Sequence, residues 1–230
     1  MTFSPRAAAK TYQAFLFDMD GTLITSTAAA ERVWSRWAER HGIDVETFLP
    51  TMHGVRAADT IRKQNLPDID LEAEIAWVER GEIEDVEGVV AIPGAIDFVK
   101  RLPPDRWAIV TSATVPLARA RLTAAGVTPP AVFITAEDVG HGKPDPTGYL
   151  KAARTLGFEI ADCLVFEDAE AGVRAGEAAG ADVVVITAAQ QHPLHTRWPE
   201  LAEYADAELT VSSTGLDIIL QHAPREEAQP

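Results

Sequence analysis

The chain has 230 residues, 47% apolar and 24% charged, which suits one well-filled core with a smaller lobe and excludes a disordered polymer. Acidic residues outnumber basic ones 35 to 20, a net charge of −15, so nucleic acid is repelled over most of the surface and excluded as a partner. No window approaches the roughly twenty apolar residues of a membrane helix, residues 1–10 lack the apolar stretch of a signal peptide, and the one cysteine, Cys163, cannot form an intrachain disulfide. A cytoplasmic protein with no membrane association is expected, with Cys163 a buried structural thiol.

In chain order, the first short apolar run, residues 14–17, leads into Asp18-Met19-Asp20-Gly21-Thr22-Leu23. From about residue 27 to 91 no strand is evident. Ala30, Val33, Trp34, Trp37, Ala38 and His41 share one face of a helix that Gly42 closes, and residues 71–78 open another apolar-faced helix. We read 27–91 as a helical cap, with Trp34 and Trp37 packing inside it, inserted into an α/β core of residues 11–26 and 92–225. Residues 1–10 and 226–230 are then flexible ends. Further strands are expected at 107–111, 132–135, 164–166, 183–186 and 209–211. Helices at 116–125, 147–156 and 171–179 are each followed by a glycine. Alternating strands and helices imply a doubly wound α/β fold whose parallel sheet carries ligands at the carboxyl ends of its strands.

Those strand ends hold the residues with chemistry to offer. Asp18 and Asp20 follow the first strand and can converge, as two metal ligands, as a nucleophile with its general acid, or as a solvated turn. Thr111 and Ser112 end the second, where hydroxyl and following backbone N–H groups suit phosphate oxygens. Lys143-Pro144 follows the third and supplies a cation, and Glu167-Asp168 end the fourth, an acidic pair suited to Mg2+ through oxygen ligands. Taken singly, each has a bland reading as a cap or surface residue; their joint order on successive strands points to phosphoryl chemistry.

In that order the motifs resemble the haloacid dehalogenase superfamily, whose signature is Asp-x-Asp-Gly-Thr, then Ser or Thr, then Lys, then an acidic pair. The resemblance covers essentially the whole chain, and the insert after the first motif looks like the cap of the branch that contains β-phosphoglucomutases and many small-molecule phosphatases. It implies a Rossmann-like core in which Asp18 attacks phosphorus and Asp20 serves as general acid and then base. It further implies Mg2+ on the Asp18 carboxylate, the Asp20 carbonyl and Asp168, with Glu167 beside them, while Ser112, Thr111, the Ala113 backbone and Lys143 hold the transferring oxygens.

Asp20 argues against dehalogenation, which needs no acid there. The mutases of this branch carry a cap histidine about ten residues beyond the second aspartate, where this chain has Ala30, so a hydrolase is favoured over a phosphomutase or a silent phosphometabolite-binding regulator. The segment Met52-His53-Gly54-Val55-Arg56 is similar to the sugar and polyol phosphatases of the 2-deoxyglucose-6-phosphatase and glycerol-3-phosphatase group. It implies that His53 reaches a substrate hydroxyl, Arg56 the phosphate or a core carboxylate, and that Gly54 allows close approach. Residues 107–112 and 116–121 are similar to bacterial sugar phosphatases. The expectation is a monomeric or weakly dimeric Mg2+-dependent phosphatase of small sugar or polyol phosphates. Thr25 stands where many relatives carry Asp. His141 is read as a loop residue, His192 and His195 receive no role, and Asp145 either orients Lys143 or caps the helix at Thr147.

Overall fold

The computed structural model describes residues 10–190 and 193–220. Strand β1 (Ala14–Phe17) is followed by β2 (Ile24–Thr25), helices α1 (Thr27–Arg40), α2 (Val45–Phe48), α3 (Ala57–Lys63) and α4 (Leu71–Glu84), and then β3 (Val90–Ala91). The chain continues through α5 (Ala95–Lys100), β4 (Trp107–Val110), α6 (Val115–Ala124), β5 (Val132–Ile134), α7 (Thr147–Leu156), β6 (Cys163–Glu167), α8 (Glu170–Ala179) and β7 (Asp182–Ile186). Three short strands end it: β8 (Glu200–Leu201), β9 (Ala207–Val211) and β10 (Leu216–Leu220).

Six strands form one parallel sheet in the order β5-β4-β1-β6-β7-β8. Its central strand shows why the sequence reads as an unbroken apolar run rather than an alternating one. Ala14 and Leu16 point to one face, into a core with Tyr149, Ala152 and Val173 of α7 and α8, while Phe15 and Phe17 point to the other, against Phe98, Leu117 and Leu122 of α5 and α6. Both faces are buried, so every residue must be apolar. On the second face Phe17 stacks on Phe166 at 4.5 Å between ring centroids. Cys163 is a buried free thiol, as expected.

The helical insert has a core of its own, in which Trp34 and Trp37 pack with Phe48, Met52, Ile61 and Val78. Its second long helix, which residues 71–78 open, continues to Glu84. The two crossings between insert and core are joined: Ile24 pairs with Ala91 and Thr25 with Val90, antiparallel. This corrects the reading of 27–91 as free of strand; two residues are too few to show a period of two. Thr25 thus lies in a linker strand, its hydroxyl 3.4 Å from the Gly88 carbonyl.

Residues 209–211 are a strand, but not of the parallel sheet. They belong to a β9–β10 antiparallel hairpin, and the sixth place in the sheet goes to Glu200–Leu201. The reason is visible in the residues: Ala207 and Leu209 are buried while Glu208 and Thr210 are exposed, the alternation of a strand with one wet face. Lys10, placed in the flexible N-terminal end, donates to Asp182 at 2.8 Å and to the Ala161 carbonyl at 2.7 Å. Residues 1–9, His192 and residues 226–230 lie outside the described residues. Among those described, no helix is long and apolar enough to cross a membrane.

Candidate active site

The carboxyl end of β1 is where the site begins. The Asp18 N–H donates to the Phe166 carbonyl at 2.9 Å, extending the β1–β6 ladder, and its carboxylate is buried. A tight turn follows, in which the Leu23 and Ile24 N–H groups both donate to the Met19 carbonyl and Gly21 takes φ +81°. A Cβ on Gly21 would lie 1.9 Å from the Asp168 carboxylate, so glycine is required both for the backbone and for the close approach of Asp168.

Lys143 reaches into this floor from the loop before α7. Its ammonium donates to Asp18 Oδ1, to Glu167 Oε1 at 2.6 Å and to the Val110 carbonyl at 3.0 Å, which uses all three of its hydrogens. Glu167 has no exposed surface; its Oε1 also accepts from the Tyr149 hydroxyl at 2.7 Å, and its Oε2 from the Asp168 and Ala169 N–H groups. Asp168, by contrast, receives the Thr22 hydroxyl at 3.4 Å. Asp145 orients the helix and not the lysine: its Oδ1 accepts the Thr147 N–H at 2.9 Å.

Ligand oxygens of Asp18, Glu167 and Asp168 all lie within 4.8 Å of one another. Burial first, and then the neighbouring carboxylates, push Asp18 and Asp168 well above the usual carboxyl range, although Lys143 opposes this. Burial works against the Lys143 charge, but Asp18 and Glu167 outweigh it and hold the ammonium. Three carboxylates sharing one ammonium fit a site for a further cation held by oxygen. The Asp20 side chain is not in that cluster. Its Oδ1 accepts from Ser26 Oγ at 2.5 Å and from Arg121 Nη1 at 3.0 Å.

Asp18, Asp20 and Asp168 line a cavity of about 390 Å3 between the α/β core and the insert, within the usual range for small-molecule sites. Ser112 borders it, with its hydroxyl donated to the Gly54 carbonyl at 2.8 Å. Thr111, itself mostly buried, also lines the cavity, and its Oγ1 accepts the Ala113 N–H at 3.1 Å, so that N–H already has a partner. From the insert, His53 faces Glu31 at 3.4 Å; burial lowers the pKa of the imidazole while Glu31 opposes. Among the described residues Arg56 meets no core carboxylate. Its Nε donates to Asp59 at 2.7 Å within the insert, and its Nη1 reaches the Val139 carbonyl of the core at 3.3 Å. A side chain with five donors can bridge to the core through carbonyls, an outcome that composition does not reveal.

Sequence reasoning missed Ser26, Glu82, Tyr149 and Arg121. Two of them carried a signal. Arg121 stands four residues after Leu117 on α6, and Glu82 four after Val78 on α4, so each charge falls on the buried face of its helix. They meet at 2.9 Å.

Residues 12–180 match the family model described as haloacid dehalogenase-like hydrolase. The chain belongs to that family. Hexitol phosphatase A of Escherichia coli is 45% identical over 183 residues, covering 78% of this chain and 85% of the relative. The 2-deoxyglucose-6-phosphate phosphatase 1 of Saccharomyces cerevisiae is 36% identical over 193 residues, 75% of this chain and 78% of the relative. In fold, a mutant of CbbY from Rhodobacter sphaeroides, solved in complex with xylulose-(1,5)bisphosphate, aligns with a TM-score of 0.71 at 20% identity, over 85% of this chain and 96% of that one.

Proposed function

We propose that this protein is a Mg2+-dependent phosphatase of small sugar or polyol phosphates that works through an aspartyl-phosphate on Asp18. The observation that carries the reading is the placement of a buried Asp18, already bound by Lys143, on the floor of a cavity that also holds the Asp20 carboxylate. Relatives at 45% and 36% identity hydrolyse, by their names, hexitol and 2-deoxyglucose phosphates, which supports the substrate class.

The Asp18 carboxylate attacks phosphorus in line; the ester P–O bond breaks as the Asp18–phosphorus bond forms, and Asp20 protonates the departing alkoxide. Asp20 then takes a proton from water, which displaces phosphate and frees Asp18. Lys143 neutralises transferring oxygens, and Ser112 and Thr111 hold them once Ser112 releases Gly54. Asp18, Asp168 and the Asp20 carbonyl would hold Mg2+, which when bound offsets charge on the phosphoryl oxygens. Glu167, bonded through both oxygens to the protein, keeps Lys143 and the Asp168 backbone in place. The insert, residues 27–91, is the cap that excludes water, and His53, Gly54 and Arg56 present it to the substrate. No single group could suffice, because monoester hydrolysis demands up to ~10²¹ in rate, against roughly 10²–10⁴ from one acid–base group.

Phosphate release from hexose, pentose, polyol and nucleotide monophosphates, with Mg2+ and with EDTA, tests this. Mg2+-dependent turnover of sugar or polyol esters that Asp18→Asn abolishes is expected; release from nucleotides alone, or from none of the esters, would overturn it.

A further inference from the structure

We infer that Arg121, anchored by Glu82 of the insert, is a positioning residue that sets the Asp20 carboxylate for proton transfer, so that the proton donor is complete only with insert and core docked. The inference rests on the acid–base role proposed above for Asp20.

Arg121 lies on α6 of the core and Glu82 in the last turn of α4, and both are about 95% buried, with relative exposures of 4% and 5%. The guanidinium spans the seam with one nitrogen on each side: Nη1 donates to Asp20 Oδ1 at 3.0 Å and Nη2 to Glu82 Oε1 at 2.9 Å. Its Nε is buried with no partner among the described residues. A buried cation that leaves one donor unmet, while both its carboxylate partners come from different lobes, is poorly explained as packing. Without it, the two carboxylates would face each other across the seam.

Asp20 is also tied at the other crossing. Ser26, the residue before α1, donates to the same Oδ1 at 2.5 Å. Both ends of the insert therefore hold one carboxylate oxygen, Ser26 directly at the entry and Glu82 through Arg121 near the exit. Oδ1 already accepts from a hydroxyl and a guanidinium, so Oδ2 is the oxygen left to carry the proton to the leaving group. If the insert shifts, Arg121 loses its anchor and Asp20 loses the contact that sets its rotamer.

The test separates leaving groups. An alkoxide leaves only with a proton, whereas p-nitrophenolate leaves without one, so a defect in the acid slows the first ester and spares the second. Rates of aspartyl-phosphate formation are measured in single turnovers with Mg2+ on 2-deoxyglucose 6-phosphate and on p-nitrophenyl phosphate. Glu82→Gln keeps the shape of the anchor without its charge; Arg121→Lys keeps the charge but cannot span both partners. Each is expected to slow the sugar ester by about tenfold or more, part of the roughly 10²–10⁴ an acid–base group supplies, with a much smaller loss on the aryl ester. Equal losses on both esters, or a loss on neither, overturn the inference. Asp20→Asn tells the two readings apart. If it discriminates between the esters while Glu82→Gln and Arg121→Lys do not, this inference alone falls; if it does not discriminate, the role given to Asp20 falls first. Should Arg121→Lys fail to fold, Glu82→Gln carries the test by itself.

Discussion

Ser112 of the core donates its hydroxyl to the carbonyl of Gly54 in the insert, at 2.8 Å. One hydroxyl can donate to one acceptor at a time, so the bond that docks the insert competes with any bond from Ser112 to a substrate oxygen. Gly54 itself sits at φ +72°, and a Cβ there would lie 2.8 Å from the Ala169 Cβ.

Gly54→Ala is therefore expected to weaken docking by about 1–3 kcal/mol, the range for a residue forced into a sparsely populated conformation. Steady-state kinetics should show KM rising and kcat/KM falling by about tenfold or more, with thermal melting lowered by about 2–12 °C. Ser112→Ala should cost less on the docking side, about 0.5–1.5 kcal/mol for one hydrogen bond. Wild-type kinetics in Gly54→Ala would show that the insert works in a different position from this one.

Lys143→Met removes the one ammonium between Asp18 and Glu167 and leaves both carboxylates buried and facing each other. Breaking such a buried pair costs about 3–5 kcal/mol. Urea denaturation should register that loss, and turnover should vanish. Adding Glu167→Gln to the same chain should recover part of the stability and none of the activity. A single variant as stable as the parent would mean that the three carboxylates do not crowd one another.

Metal and pH should act on stability together. Asp18 and Asp168 are held well above the usual range by burial and by their neighbours, so the folded protein binds their protons more tightly than the unfolded chain does. The stability this contributes is present at and below the unfolded value of about 3.9 and is lost as pH rises through the folded value. In EDTA the protein is expected to melt at a higher temperature near pH 5.5 than near pH 7.5. Mg2+ competes with those protons and should raise Tm more at the higher pH. Asp168→Asn should shrink both differences. An Asp168→Asn protein with the parent's pH response and Mg2+ response would remove Asp168 from the cation site.

The sequence by itself determined the α/β class, the central strands, the helices up to their closing glycines and the order of acidic, hydroxyl and cationic residues at the strand ends. It could do so because burial on both faces forces unbroken apolar runs, and because the chemistry sits within a few residues of those runs. Only the tertiary structure decided what each polar group touches. Glu167 spends both oxygens on the protein, Ser112 spends its hydroxyl on Gly54, and Arg56 reaches the core through the Val139 carbonyl. It decided, too, that residues 209–211 lie outside the parallel sheet, and that Arg121 and Glu82, 39 residues apart in the chain, meet across the seam beside Asp20. Partners so distant in sequence are brought together by packing of the two lobes, and neither composition nor periodicity along one helix specifies which charge from the other lobe will answer it.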